Sequence, residues 1–154
     1  MDKIKKKKYF KKIYDNIDKY GFNTTSILEE KDFTPFAYST GIYKNFKIPE
    51  LFISGLLPGL NGDLMHYYVE KYKFKKVPIN EKIEGLSDRF PVYFIELDIN
   101  NLTEYTLTST KYYKNKPYKY LQLIFPDLNG YFPYEEEYNY DQEILGNIEQ
   151  LNNK

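Results

Sequence analysis

Residues 34–56 read TPFAYSTGIYKNFKIPELFISGL, and the fold class turns on this stretch. Pro35 to Tyr43 reads as a strand ending near Gly41, with Phe36, Tyr38, Thr40 and Ile42 recurring at period two on one face. Gly41 permits a positive φ or a close backbone approach. Pro49 precedes a second short strand, Glu50 to Leu56. Downstream, Pro58, Gly59, Asn61 and Gly62 open a helix that runs to about Phe74. Its expected buried face is Leu60, Leu64, Tyr67, Tyr68 and Tyr72. Upstream, Phe22 to Leu28 reads as a strand and Glu29 to Thr34 as a turn.

Further out the signals change. Residues 1–8 carry five lysines and no apolar period, which predicts a flexible basic start. From Tyr9 a helix places Tyr9, Phe10, Ile13, Tyr14, Ile17 and Tyr20 on one face and stops at Gly21. Lys75 to Arg89 reads as a loop with a short strand near Ile83. Pro91 to Asp98 alternates, with Tyr93, Ile95 and Leu97 on one side. Asn101 and Glu104 resemble a capping pair for a helix from Leu102 to Tyr113. Tyr118 to Phe125 is a strand, and Pro126 to Gly130 is turn chemistry. From about residue 134 the chain is acidic and tyrosine-rich, and Asp141 to Gln150 is expected to be a short helix. Helices and strands do not alternate strictly. The expectation over residues 9–150 is a single α+β domain: a mostly antiparallel sheet of about five to six strands with about three helices packed on it.

Composition narrows the function. The 154 residues carry 22 Lys plus Arg against 22 Asp plus Glu. A net charge of zero argues against a dedicated nucleic-acid binder. With no Cys, disulfides, thiol catalysis and Cys-based zinc sites are excluded. With 1 His, so is any site that needs two histidines from one chain. The longest apolar stretch, Leu51 to Leu60, is interrupted by Ser54, Gly55, Pro58 and Gly59. It falls short of the roughly 20 residues that a spanning helix needs. Lys11, Lys12 and Asp15 break any signal-peptide core, so the expected location is the cytoplasm, without membrane contact. Tyr (18) and Phe (11) are abundant, which fits either drift in a composition rich in Lys, Asn and Ile or a surface built for contact.

Three motifs carry a resemblance. Thr34 to Tyr43 is similar to PPFAYTIGLY. Ile48-Pro49-Glu50-Leu51 with Gly55-Leu56 is similar to HPEL…GL. Gln122 to Asp127 with Gly130 to Tyr134 is similar to QLVWPD…GRFPW. Over about residues 12–145 the chain resembles the bacterial family catalogued as domain of unknown function 4262, a resemblance that brings no established reaction. Ile48 stands where the family has His, and Phe125 and Tyr134 stand where it has Trp. A catalytic role for that His in relatives would mean chemistry lost here. The aromatic exchanges suggest packing positions that tolerate swaps.

Glu50 is a candidate general acid or base; alternatively it pairs with a backbone amide or with Arg89, the only arginine. Asp127 either caps its own Pro-Asp-x-x-Gly turn or joins Glu50 and His66 in chemistry. Asp63, His66 and Glu70 form a weak metal-ligand row on a helix face that is equally well a solvated one. No GxSxG, GxxxxGK[ST] or GxGxxG occurs, and no cofactor is expected. Two functions follow. The first is a non-catalytic, immunity-type protein that neutralises a toxin or acts in bacterial conflict, holding a basic partner through Tyr134, Glu136, Tyr138 and Tyr140. The second is a small enzyme or ligand-binding domain with a pocket around Tyr38, Thr40, Glu50 and Gln122–Asp127. Homodimerisation stays open under both.

Overall fold

The computed structural model describes residues 2–28 and 34–148. Its elements are α1 (Lys3–Tyr20), β1 (Asn23–Ile27), β2 (Phe36–Thr40), α2 (Ile42–Phe46), β3 (Glu50–Ser54), α3 (Pro58–Tyr72), β4 (Tyr93–Leu97), a 3-10 turn (Ile99–Asn101), α4 (Leu107–Tyr113) and β5 (Tyr120–Ile124). The strands form one five-stranded sheet in the order β1-β2-β3-β5-β4. β3 and β5 run parallel, and the other neighbours are antiparallel. The fold is α+β with a mostly antiparallel sheet, as the pattern of short strands predicts.

Period two sorts the strand residues onto two faces. Leu51 and Ile53 of β3 and Leu121 and Leu123 of β5 join the core under α3, which contributes Leu64, Met65, Tyr68 and Val69. Burying each such side chain is worth about 1.5–3 kcal/mol. On the opposite face, Phe36, Tyr38, Phe52 and Tyr120 pack with Leu102. Tyr93, Ile95 and Ile124 on that side are covered by Phe132, Tyr134, Ile144 and Ile148 of the C-terminal segment.

Several boundaries differ from expectation. α1 begins at Lys3 rather than Tyr9 because Asp2 accepts the Lys5 N–H at 2.8 Å, satisfying an otherwise orphaned donor. Ile13 and Ile17 are the buried residues of α1, while Tyr9, Tyr14 and Tyr20 stay exposed. Gly21 closes the helix as expected, at φ 90° with its N–H on Ile17 O. Ile42 leaves the Phe36–Tyr38 face because α2 starts there, and it packs into the α3 core. On α3 the buried stripe runs through Asn61, Leu64, Met65, Tyr68 and Tyr72, which turns Tyr67 outward.

The predicted helix from Leu102 is shorter. Asn101 does not cap it: it ends a 3-10 turn that Asp98 caps by accepting from Asn100 N, and the N-cap of α4 is Thr106, without a side-chain capping bond. Tyr105 N and Thr106 N then both bond to Leu102 O, and so does the Thr106 hydroxyl. This turn on Leu102 O precedes α4, which begins at Leu107 with Thr106 as its N-cap. The expected C-terminal helix is absent from residues 141–148; residues 149 and 150 lie outside the described residues. That segment instead straps the sheet, because the Gln122 amide donates to Glu143 O at 2.7 Å and accepts Leu145 N at 3.0 Å. Ile83 pairs with Val92 in an isolated bridge, as its position suggested.

Candidate functional site: a buried carboxylate clamp

The motif residues converge on Glu50. Pro49 delivers it to the first position of β3, beside the turn where β2 passes through Gly41 into α2. Gly41 sits at φ 109°, which aims the first amides of α2 at the carboxylate. Oε1 accepts from the Ser39 hydroxyl at 2.6 Å and from Ile42 N at 3.1 Å. Oε2 accepts from Gly41 N at 2.9 Å, from Tyr43 N at 3.1 Å and from the Tyr113 hydroxyl of α4. Ser39 Oγ in turn accepts Leu51 N at 2.9 Å, and Tyr113 Oη accepts Lys44 N at 3.3 Å. Glu50, Ser39 and Thr40 have no exposed surface.

A second hydroxyl network lies against the first. Ser109 and Thr40 share a 2.6 Å hydrogen bond, Ser109 and Tyr120 one of 2.7 Å, and Tyr120 donates to Ser39 O at 2.6 Å. The Tyr38 hydroxyl donates to Thr108 Oγ1 at 3.0 Å. Burial pushes the Glu50 carboxyl above its ordinary value, against the opposing pull of its hydrogen-bond donors. Burial and the nearby Glu50 charge push Tyr113 and Tyr120 up as well. A general base must reach a substrate proton. Glu50 spends its lone pairs on five internal donors and faces no solvent. The arrangement caps α2 and ties β2, β3 and α4 together. Of the alternatives for Glu50, backbone amides are its partners and Arg89 is not.

The residues expected to line a pocket fall into two groups. Tyr38, Thr40 and Glu50 belong to the buried networks, whereas Gln122 reads the C-terminal strap. Asp127 lies past the far end of β5 from Glu50, which pairs with Tyr120 at its start. Asp127 Oδ1 accepts Asn129 N and Tyr131 N, and Oδ2 accepts Asn139 N, each at 2.9 Å. Burial acts to raise its pKa, but the backbone N–H groups of Tyr131, Asn139, Asn129 and Gly130 prevail and hold it below its ordinary 3.8. The sign follows from linkage: this stabilisation is complete above pH 3.8 and is lost as pH falls through the lower folded value. Melting temperatures taken against pH are expected to drop on the acid side in the wild type, and this phase is expected to vanish in Asp127→Asn.

His66 is exposed, its ring 5.1 Å from Phe22, and Glu70 pairs with Lys73 at 3.5 Å. Among the described residues no cluster of three or more His, Asp or Glu has metal-holding geometry, and Asp63, His66 and Glu70 do not form one. None of the described helices is long and apolar enough to cross a membrane. Sequence reasoning missed Ser39, Ser109, Tyr113 and Tyr120. Ser39 was legible inside the first motif, but nothing in the sequence singles out the other three.

The acidic tail is fixed to the domain. Tyr134 stacks on Phe132 at 6.2 Å, Tyr138 Oη accepts from Gln142 at 2.7 Å, and Tyr140 donates to Gly55 O at 2.7 Å. Tyr105 donates to the Glu143 carboxylate at 2.7 Å. Glu136 and Glu137 are exposed on this frame.

The model of the family described as Domain of unknown function (DUF4262) matches residues 16–139, and the chain belongs to that family. No curated protein and no solved structure matches it.

Proposed function

We propose that this family member is a non-catalytic binding protein of the immunity type, acting in the bacterial cytoplasm and seating a basic protein partner on its acidic segment 134–143. The observation that carries this reading is the anchoring of that segment. Asp127 holds Asn139, Gln142 holds Phe125 at both its N–H and C=O, and Tyr140 holds Gly55. A contact surface ordered in advance avoids much of the entropic cost of binding. Tyrosines add area at low entropy, and Glu136 and Glu137 would steer a cationic partner inward. The pocket reading finds less support, because Glu50, its central residue, has no exposed surface.

Native purification at low salt followed by native mass spectrometry tests this. The expected result is a 1:1 complex with a basic protein that salt dissociates. Glu136→Lys with Glu137→Lys is expected to weaken it about tenfold or more while leaving the melting temperature unchanged. A complex indifferent to that charge reversal, a homodimer alone, or a bare monomer would overturn the reading.

A further inference from the structure

Although the net charge is zero, several lysines gather along one path on the surface. α1 carries Lys3, Lys6 and Lys7 along one stripe with Phe10 and Tyr14, and Lys111 of α4 completes a cleft of about 520 Å³ there. The Lys111 ammonium lies 3.6 Å from the centre of the Phe10 ring. Tyr14 meets Tyr112 at 6.0 Å, and the Lys44 ammonium lies 5.6 Å over Tyr112. Lys47 follows at the end of α2, its ammonium on Lys44 O at 2.8 Å. Tyr43 and Lys47 then line a second groove, of about 620 Å³, where β3 and β5 begin. Lys75, Lys76, Lys119 and Tyr118 form its other walls. Basic stretches distant in sequence thus meet along one path.

No ion pair among the described residues accounts for the lysines of the second groove. Lys75, Lys76 and Lys119 are exposed and form no ion pair among the described residues. The acids of the second groove, Glu96 and Asp98, are outnumbered by its lysines. Lys47, at the junction of the two grooves, closes α2 as its left-handed C-cap, with its N–H on Tyr43 O.

We propose that this lysine and tyrosine track binds single-stranded nucleic acid. Phosphates would pair with the ammonium groups, and unstacked bases would lie on the half-exposed faces of Tyr14, Tyr112, Tyr43 and Tyr118. A lipid surface fits less well, because the apolar Ile13 and Ile17 of α1 point into the protein. Specificity for base sequence is not expected, since stacking and phosphate contacts read none.

The test is fluorescence anisotropy of a labelled oligothymidylate, with sedimentation of phosphatidylserine vesicles alongside. The wild type is expected to bind the oligonucleotide at low salt, with an affinity that falls linearly on a log–log plot against salt. Lys75→Glu with Lys119→Glu, and separately Lys44→Glu, are each expected to weaken binding about tenfold or more. Lys75→Arg with Lys119→Arg is expected to retain it, as is Lys19→Glu at the far end of α1. Circular dichroism melts establish that each variant is folded. Absence of oligonucleotide binding by the folded wild type, equal binding by the folded groove variants, or binding to vesicles alone would overturn the proposal.

Discussion

Glu50→Ala is expected to cost about 4–6 kcal/mol, since each buried donor left without an acceptor costs about 1–3 kcal/mol and three of the stranded donors are backbone amides that cannot turn away. Those amides belong to Gly41, Ile42 and Tyr43. The Ser39 and Tyr113 hydroxyls can rotate, and water entering the vacated space would relieve part of the loss. A domain has only about 5–15 kcal/mol in all, so the variant is expected to be largely unfolded at modest denaturant. Glu50→Gln keeps one acceptor oxygen but turns an NH2 towards donors, and an intermediate loss of about 2–4 kcal/mol is expected. Tyr113→Phe and Ser39→Ala each remove one donor to Glu50 and the acceptor of one backbone amide, Lys44 N and Leu51 N respectively, and are each expected to cost about 1–3 kcal/mol. Urea unfolding orders the four variants. A Glu50→Gln protein as stable as the wild type would show that the carboxylate is not structural and would revive its catalytic reading.

The two candidate carboxylates are also expected to respond oppositely to pH. Burial holds Glu50 above its ordinary 4.5, so folding favours its protonated form. Its contribution is complete below 4.5 and is lost as pH rises through the folded value. Asp127, held below its ordinary value, loses its contribution as pH falls. Subtracting the pH–stability curves of Glu50→Gln and Asp127→Asn from that of the wild type separates the two phases. Phases of the same sign would contradict the assigned environments.

What was legible in the sequence follows from the range over which each signal acts. The alternation of Phe36 with Tyr38 and of Leu121 with Leu123 is local, and it identified the strands and their faces. Gly21 and Asp127 act within a few residues of themselves, so both caps were readable. The clamp was half readable: a backbone amide was one of the partners open to Glu50, but Tyr113 lies 63 residues away and carries no local mark. The C-terminal strap was unreadable for the same reason. Gln122 forms hydrogen bonds 21 and 23 residues along the chain, which override any helical preference of the tail. The lysine track depends on α1, α2, α4 and two loops meeting, and a net charge summed over the whole chain erases it.

Gly41→Ala is the second substitution expected to have a large effect, and it tests the same device through the backbone. At φ 109° a side chain is strained whatever space surrounds it. Here space is lacking too: an added Cβ would stand 2.8 Å from Gly21 O and 3.2 Å from both Ile17 Cγ2 and Phe22 Cα. Two of these three neighbours are backbone, one of them in the cap that ends α1, so relief requires α1 or the β2–α2 turn to move. Moving the turn drags the Gly41, Ile42 and Tyr43 amides off Glu50. Strain of about 1–3 kcal/mol therefore adds to the weakening of three hydrogen bonds worth about 0.5–1.5 kcal/mol each. The expected cost is about 3–5 kcal/mol, read as a lowered urea midpoint with an unchanged m-value. Because both changes act on one turn, the double variant Gly41→Ala with Glu50→Gln is expected to lose less than the sum of the singles. Strict additivity in that cycle would mean that the glycine serves only the close approach of α1 and that the carboxylate holds α2 without it.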